Sequence, residues 1–462
     1  MENNPTSPQL RFDRGTIVID ENQNNSLLSS KMAVWDERIG ALRAPAYRLF
    51  DLERSFAKNS LPVSFDSSIS IDNNTNGKWN RITLRPYQQE ALSSWTKNGH
   101  RGIIVLPTGA GKTHLALAAA SILSKRTLFL VPTRVLLDQW ASQISMFYSG
   151  DIGLYGDGER TLRDITVATF SSALRNMPEI GRLFDLLVID EVHHFGQAVQ
   201  DELLEMCSAG FRLGLTATPS ADINIEKKLN ELIGPEIYKK TISDLSGTFL
   251  SLFEDRSFFL SLTPSESAEY ERCMRLFKTV SKPLRRENSS ASWGEMIQIM
   301  GRSPEGLAAL AGYRRAKALV SLTQEKFKTL LKLIEMHRGS RILIFTADTA
   351  TAYRLSRFLF IPALTAGIKR KERENYIDAF KKGDITVLIS CKVLNEGIDV
   401  PSAEIAIILG GSSGTREHVQ RIGRILRPDP GKIAVVYELV ASGTFEVGQF
   451  RKRRRGLDDP NE

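Results

Sequence analysis

The sequence predicts an α/β protein with two parallel-sheet domains in tandem, a small α+β domain before them and a helical insertion in the second. Three observations carry this. Short β-rich runs alternate with amphipathic helical runs across residues 81–240, which is how βαβ units of a parallel sheet read in sequence. The alternation starts again after about residue 326. At 462 residues the chain is also too long for one core, so about two to four domains are expected.

Residues 1–65 form the small domain. There Thr16-Ile17-Val18-Ile19 reads as a strand, and Pro45-Ala46-Tyr47-Arg48-Leu49-Phe50 as a short element leading into a helix near residues 52–57. Residues 66–80 are rich in Asn, Ser and Gly, the composition of a flexible linker. In residues 81–240 strands are expected at 103–106, 127–131, 165–169, 183–190 and 212–216. Residues 241–445 form the second domain, with strands at 341–346, 363–365, 387–390, 405–409 and 433–438. Two similar halves on one chain place the expected working site in the cleft between them.

The insertion spans about residues 265–320. Thr263-Pro264-Ser265-Glu266 is a helix start, with threonine as cap, proline at the first position and glutamate closing a capping box. Beyond it Tyr270, Met274 and Phe277 share one stripe, and Arg272, Arg275, Lys278 and Lys282 lie largely off it. Arg285, Arg286, Arg314, Arg315 and Lys317 add to the basic bias; a merely solvated helix face is the competing reading. Residues 446–462 form a tail whose Arg451-Lys452-Arg453-Arg454-Arg455 is a second basic cluster or a disordered end.

Composition narrows the class. Hydrophobic content of 42% and charged content of 25% describe an ordinary globular protein, and a net charge of +8 is compatible with nucleic acid without requiring it. Three scattered cysteines, Cys207, Cys273 and Cys391, make no disulfide framework, which points to a reducing compartment. Met1-Glu2-Asn3-Asn4-Pro5 lacks a basic then apolar segment, and the longest apolar runs, such as Ile405-Ala406-Ile407-Ile408-Leu409, have strand length. A cytoplasmic protein with no membrane partner is expected.

Chemistry concentrates first at Leu106-Pro107-Thr108-Gly109-Ala110-Gly111-Lys112-Thr113, between the apolar run Gly102-Ile103-Ile104-Val105 and a helix former. Strand, glycine loop and helix make a phosphate cradle of backbone N–H groups. Lys112 would reach the β- and γ-phosphates and the Thr113 hydroxyl would ligate Mg²⁺. The general pattern wants glycine at position 106, where this chain has Leu106. Further on, Leu186-Leu187-Val188-Ile189-Asp190-Glu191-Val192-His193-His194 is an apolar strand ending in two acids. Asp190 there can hold Mg²⁺ and Glu191 can orient and deprotonate water. Leu215-Thr216-Ala217-Thr218 ends the next strand with hydroxyls able to bond the acid pair. In the second half Arg421, Arg424 and Arg427 fall near one helix face, where arginine from an opposing domain can stabilise a γ-phosphate transition state.

In order, Arg85-Pro86-Tyr87-Gln88, the glycine loop, Asp190-Glu191-Val192-His193, Leu215-Thr216-Ala217-Thr218, Asn395-Glu396-Gly397-Ile398-Asp399-Val400-Pro401 and Gln420-Arg421-Ile422-Gly423-Arg424 resemble the motif set of superfamily 2 helicases. The Asp-Glu-Val-His-His box, Leu232-Ile233-Gly234-Pro235, the Arg-Ile-Leu-Arg-Pro ending and Arg14-Gly15-Thr16-Ile17-Val18 make the chain similar to the XPB family of DNA helicases in its compact archaeal or bacterial form. The resemblance runs from about Phe12 to Glu446. It implies two RecA-like domains, a damage-recognition-like first unit and a thumb-like insertion gripping DNA through Arg272, Arg275 and Lys278. It implies ATP and Mg²⁺ as cofactors, with Arg85 and Gln88 reading the adenine edge and Gly397 and Asp399 completing the nucleotide site. Lys112, Glu191, Gln420, Arg424 and Arg427 would be catalytic, and His193, Thr216, Thr218 and Arg421 would couple hydrolysis to movement. Thr133, Arg134 and Thr169 would hold the strand's phosphates.

The activity implied is 3′→5′ movement on single-stranded or forked DNA, in nucleotide excision repair or transcription, beside a nuclease or another repair or transcription partner and near the nucleoid. One departure bears on strand separation. The family's Arg-Glu-Asp triplet after the Thr-Ala-Thr strand is missing, since residues 219–255 hold no arginine. That keeps open a translocating ATPase on duplex DNA or RNA that never separates strands, as in a restriction or defence assembly. A non-enzymatic scaffold is disfavoured by the intact Lys112, Asp190, Glu191 and Arg424.

Overall fold

Strands buried on both faces read as continuous apolar runs, and the strands that organise this protein are of that kind. The computed structural model describes residues 8–20, 32–58, 63–66, 75–198, 200–220, 222–245, 249, 252–287, 292–365, 367–391, 403–410 and 433–454. It divides into two units, Met1–Thr241 and Ile242–Glu462.

The first unit begins with a five-stranded sheet of β1 (Gln9–Asp13), β2 (Thr16–Ile19), β3 (Val34–Asp36), β4 (Ala41–Pro45) and β5 (Ser64–Phe65), ordered β3-β4-β2-β1-β5. Only β2 is expected from the sequence, because the others are short and half-buried. Arg14 and Gly15 make the β1–β2 turn with φ of 47° and 84°, the geometry of a two-residue hairpin loop. A Cβ on Gly15 would run into the Met206 side chain, so glycine also lets this sheet lie against the larger one. The helix Leu49–Lys58 closes the small core with Leu52 and Phe56.

Polar contacts fix the junction. Tyr47 Oη donates to Glu231 Oε1 at 2.6 Å and the Arg48 guanidinium joins the same carboxylate. Behind Tyr47, at 5.9 Å from its ring, lies the fully buried guanidinium of Arg212. It donates to the carbonyls of Ala209 (3.0 Å), Leu204 (3.1 Å), Leu232 (2.7 Å) and Cys207 (2.6 Å). Burial pulls its pKa down to about 10, which leaves it charged near neutrality.

The large sheet contains β6 (Arg101–Val105), β7 (Thr127–Val131), β8 (Ile152–Gly156), β9 (Glu159–Arg160), β10 (Ile165–Thr169), β11 (Leu186–Asp190), β12 (Phe211–Thr216) and β13 (Glu236–Lys239). Their order is β13-β6-β12-β11-β7-β10-β8-β9, parallel except for the β8–β9 hairpin. The polar stretch expected to be a flexible linker is strapped to this domain over residues 75–80. Asn76 bonds Asp164 twice, Gly77 N–H donates to Tyr148 Oη at 3.1 Å, and Trp79 packs on Tyr148 with ring centroids 4.9 Å apart.

The second unit carries β14 (Leu252–Leu260), β15 (Ile342–Phe345), β16 (Ala363–Leu364), β17 (Val387–Ser390), β18 (Ile405–Ile408) and β19 (Ile433–Ala441). The order is β14-β19-β18-β15-β17-β16, all parallel. β14 is not expected from the sequence: Glu254-Asp255-Arg256 breaks its apolar pattern, yet it pairs with β19 from Leu252↔Ile433 to Leu260↔Ala441. Three helices follow it, Pro264–Glu287, Trp293–Met300 and Pro304–Ser321. The first opens as its sequence implies, with Thr263 N–H on Glu266 Oε2 at 2.9 Å and Glu266 N–H on Thr263 Oγ1 at 3.3 Å. Cys207, Cys273 and Cys391 are free and buried. Among the described residues no helix is long and apolar enough to cross a membrane.

Arg212 has no carboxylate partner in its hydrogen-bond set, so Arg212→Met would strand four buried carbonyls at roughly 1–3 kcal/mol each before relaxation. Chemical denaturation should show the first unit destabilised by about 3 kcal/mol or more; a change below about 1 kcal/mol would mean the carbonyls find other donors.

Candidate active site

Three neighbouring strands bring the site together. In β6, β12 and β11, Val105 pairs with Thr216 and Leu215 with Asp190, and Leu106 N–H donates to the Thr216 carbonyl at 3.0 Å. The glycine loop, the hydroxyl strand end and the acid pair therefore leave the same edge of the sheet.

Leu106 extends its strand with a fully buried side chain and an ordinary negative φ, so this position has no need of glycine. Gly109 and Gly111 do need it, at φ of 85° and 73°. Gly111 caps the helix Lys112–Leu123, whose first N–H groups face the loop. Thr108, Lys112 and Thr113 are half-buried and Ala110 is buried. Lys112 Nζ rests 3.2 Å from the Leu106 carbonyl and 3.5 Å from that of Pro107.

Arg85-Pro86-Tyr87-Gln88 opens the helix Pro86–Lys97, and its side chains turn onto the loop. The Ala110 carbonyl accepts from Tyr87 Oη at 2.7 Å and from Gln88 Nε2 at 3.0 Å, and the Gly111 carbonyl accepts from Gln88 Nε2 at 3.1 Å. Gln88 Oε1 accepts the Arg85 N–H at 2.8 Å. The expected adenine reader is thus 4% exposed and braces the phosphate loop. Tyr87, which sequence reasoning quotes but gives no role, shares that task.

Asp190 ends β11 with both oxygens engaged. Oδ1 accepts the Glu191 N–H and Oδ2 accepts Trp140 Nε1, each at 3.0 Å. Glu191 sits at φ 54°, in the left-handed region, so the chain turns sharply where its carboxylate is presented. His193 Nδ1 lies 3.2 Å from Glu191 Oε2 and 3.2 Å from Thr216 Oγ1, and its ring stacks on His194 at 4.5 Å. This corrects the expectation for Thr216, whose hydroxyl meets His193 and not an acid. Thr218 joins Thr216 through its backbone N–H and carbonyl, both at 3.1 Å.

The surroundings shift the two carboxyls' pKa values in opposite directions. Burial, and next the Glu191 charge, push Asp190 up, against the pull of Lys112 and the Trp140 hydrogen bond. Burial also works to raise Glu191, but the His193 ring 3.2 Å away and the Lys112 and histidine charges outweigh it and lower the group. Glu191 is the acid kept ionised and able to accept a proton from water.

Two of the residues expected on nucleic-acid phosphates, Thr133 and Arg134, already have internal partners. Thr133 Oγ1 caps the helix Arg134–Ser145 at Leu136 N–H, and Arg134 bonds Asp138 Oδ1 at 3.1 Å and the Gly156 carbonyl at 2.6 Å. Thr169, at the end of β10, is 6% exposed. In the second unit Arg272, Arg275 and Lys278 are exposed. Arg275, Lys278 and Lys282 line a cavity of about 770 Å³ floored by Tyr270 and Met274. Gly397, Asp399, Gln420, Arg421, Arg424 and Arg427 lie outside the described residues.

Mg²⁺ at nucleotide sites is held by one or two protein oxygens together with substrate phosphates. The left-handed turns at Gly109 and Gly111 and a buried carboxylate whose direction is set at both oxygens suit a Mg²⁺–triphosphate, which Thr113 and Asp190 could hold.

Comparison with known proteins bears on the same regions. Residues 10–63 match the "Xeroderma pigmentosum group B helicase damage recognition domain", residues 81–221 the "Type III restriction enzyme, res subunit" and residues 325–429 the "Helicase conserved C-terminal domain". The "DNA 3'-5' translocase XPB2" of Sulfurisphaera tokodaii is 34% identical over 91% of this chain and 95% of its own length. The "General transcription and DNA repair factor IIH helicase/translocase subunit XPB1" of Arabidopsis thaliana is 27% identical over 81% of this chain, which spans 49% of that protein. The crystal structure of the Pyrococcus furiosus Hef helicase domain superposes with a TM-score of 0.52 at 18% identity, over 80% of this chain and 97% of that one, a likeness of fold.

A non-glycine residue in left-handed backbone costs roughly 1–3 kcal/mol, and a Cβ on Gly111 would also strike Gln88 Nε2. Gly111→Ala should weaken triphosphate binding about tenfold or more in a fluorescent-nucleotide titration. Affinity within about twofold of the parent would mean the loop does not close on phosphate this way.

Proposed function

The chain belongs to the XPB family of superfamily 2 helicases, and on that premise we propose an ATP-driven 3′→5′ DNA translocase and helicase whose hydrolytic centre is built on Lys112, Thr113, Asp190 and Glu191. The observation that supports it best is the phosphate loop and the acid pair leaving one sheet edge, with Glu191 held ionised beside a half-buried Lys112.

In that reading Lys112 exchanges its loop carbonyls for the β- and γ-phosphate oxygens. Glu191 orients the attacking water and takes its proton, while His193 carries the state of Glu191 to Thr216 and so to the end of β12. Mg²⁺, when bound through Thr113 and Asp190, supplies charge neutralisation on the phosphate oxygens. Gly397, Asp399, Gln420, Arg421, Arg424 and Arg427 keep the roles that the motif resemblance implies, and the domain limits at residues 65, 80, 240 and 445 are carried in the same way.

The insertion, with Arg275 and Lys278 lining its cavity beside Tyr270, supports a grip on the phosphodiester backbone, which makes binding salt-dependent and largely sequence-independent. The plant relative's name supports a role in transcription or DNA repair; nucleotide excision repair, a nuclease or repair factor as partner and a cytoplasmic, nucleoid-associated place of action are carried over from the motif resemblance. A second reading, translocation without strand separation, is favoured by the absence of arginine from residues 219–255. Forked-duplex unwinding set against triplex displacement separates the two.

ATPase activity across single-stranded DNA, duplex, bubble DNA and RNA tests the main reading. Stimulation by single-stranded and bubble DNA is expected, and stimulation by RNA alone would overturn it. Glu191→Gln should bind ATP normally and lose hydrolysis by about a hundredfold or more; lost nucleotide affinity would remove Glu191 from the role of base. Reversing the charges of Arg272, Arg275 and Lys278 should lower DNA affinity and flatten its salt dependence by about three counterions, with the DNA-free ATPase intact. Unchanged affinity would leave the insertion a solvated surface.

A further inference from the structure

We infer that Trp140 is a positioning residue for the metal-holding carboxylate, tying the helix that starts at Thr133 to Asp190. The inference rests on the role proposed for Asp190. Trp140 is 2% exposed and its Nε1 donates to Asp190 Oδ2 at 3.0 Å. The other carboxylate oxygen takes the Glu191 N–H at 3.0 Å, so the plane of the carboxylate is fixed from two directions.

The chemistry of the donor is what suits it to this place. A buried indole N–H commonly finds some acceptor, and a backbone carbonyl would satisfy it. Here the acceptor is a carboxylate expected to meet a divalent cation. Indole is a donor only and carries no charge. It cannot compete for the metal, as a second carboxylate would, nor neutralise the carboxylate, as lysine would. Outer donors of this kind fix the direction of a ligand's free lone pairs.

The mounting of the indole is equally defined. Its ring packs on Phe129 of β7 with centroids 5.1 Å apart. Leu137, Trp140 and Ile144 form the buried face of Arg134–Ser145, so the ring cannot swing out without moving that helix. The same helix is capped by Thr133 and carries the Arg134–Asp138 pair in its first turns, both close to where strand phosphates are expected. A displacement of that helix would reach Asp190 through one hydrogen bond.

The test measures Mn²⁺ affinity by EPR on the protein saturated with ADP. Trp140→Phe keeps the ring contact and deletes the donor, and should weaken Mn²⁺ binding about 10–100-fold, with the Mg²⁺ requirement of the ATPase rising in parallel. Benzothienylalanine at position 140 keeps the full ring shape without the N–H and should behave alike. If Trp140→Phe proves unstable, this second variant decides. Mn²⁺ affinity within about twofold of the parent in either folded variant, alongside a large loss in Asp190→Asn, would overturn the role of Trp140 alone. Unchanged affinity in Asp190→Asn would instead overturn the proposed role of Asp190, and this inference with it.

Discussion

The site depends on the register of three parallel strands. Parallel ladders are evenly spaced, so once Val105 lies beside Thr216 and Leu215 beside Asp190, the residues that follow each strand emerge together. A slip of one residue in β11 would point the Asp190 side chain to the opposite face and leave Trp140 without its acceptor. Leu186, Leu187, Val188 and Ile189 are all buried, so a slip either way would draw the charged Asp185 or Glu191 into that apolar ladder. Apolar packing within the sheet thus sets the geometry of a polar site at its edge.

That dependence explains why the loop tolerates leucine where the general phosphate-loop pattern has glycine. Position 106 belongs to the strand, with its N–H on Thr216 and its side chain in the core, and the left-handed turns fall later, at Gly109 and Gly111. Beyond the strand the loop is held by side chains. Tyr87 and Gln88 take the Ala110 and Gly111 carbonyls, while within the loop the Ala110 N–H donates to the Pro107 carbonyl at 3.2 Å. A cradle needs its carbonyls turned away from phosphate, and the Arg85–Gln88 segment does this from outside.

The phosphate loop, the acid pair and most strands of the large sheet were legible because each is a local pattern: a glycine spacing, an apolar run, two acids at its end. The capping box at Thr263 was legible for the same reason. What the sequence did not show is tertiary in origin. Trp140 reads as one more apolar position on a helix face, and only the fold places Asp190 beside it. The turn of Gln88 onto the loop depends on an approach of two segments more than twenty residues apart. β14 escaped because charged residues interrupt it, although it pairs with β19 along its whole length at the sheet edge. β3 and β5 were too short for any periodicity to register.

The small N-terminal sheet is mechanically part of the first unit. β12 has Arg212 near its start and Thr216 at its end, so one strand runs from the Tyr47 junction to the hydroxyl that holds His193. The junction is polar and largely satisfied from within: Tyr47 donates to Glu231, and burial together with that bond raises the Tyr47 hydroxyl's pKa, so it remains a donor. Separating the sheet would leave Glu231 without Tyr47 and Arg48 and would bring the Arg212 side toward water, where its four carbonyl bonds compete with solvent. Gly15 against Met206 adds a contact too close for any side chain. β12 is paired on both sides, with β6 and β11, so the polar junction at Arg212 and the site hydroxyl of Thr216 sit on one continuous strand.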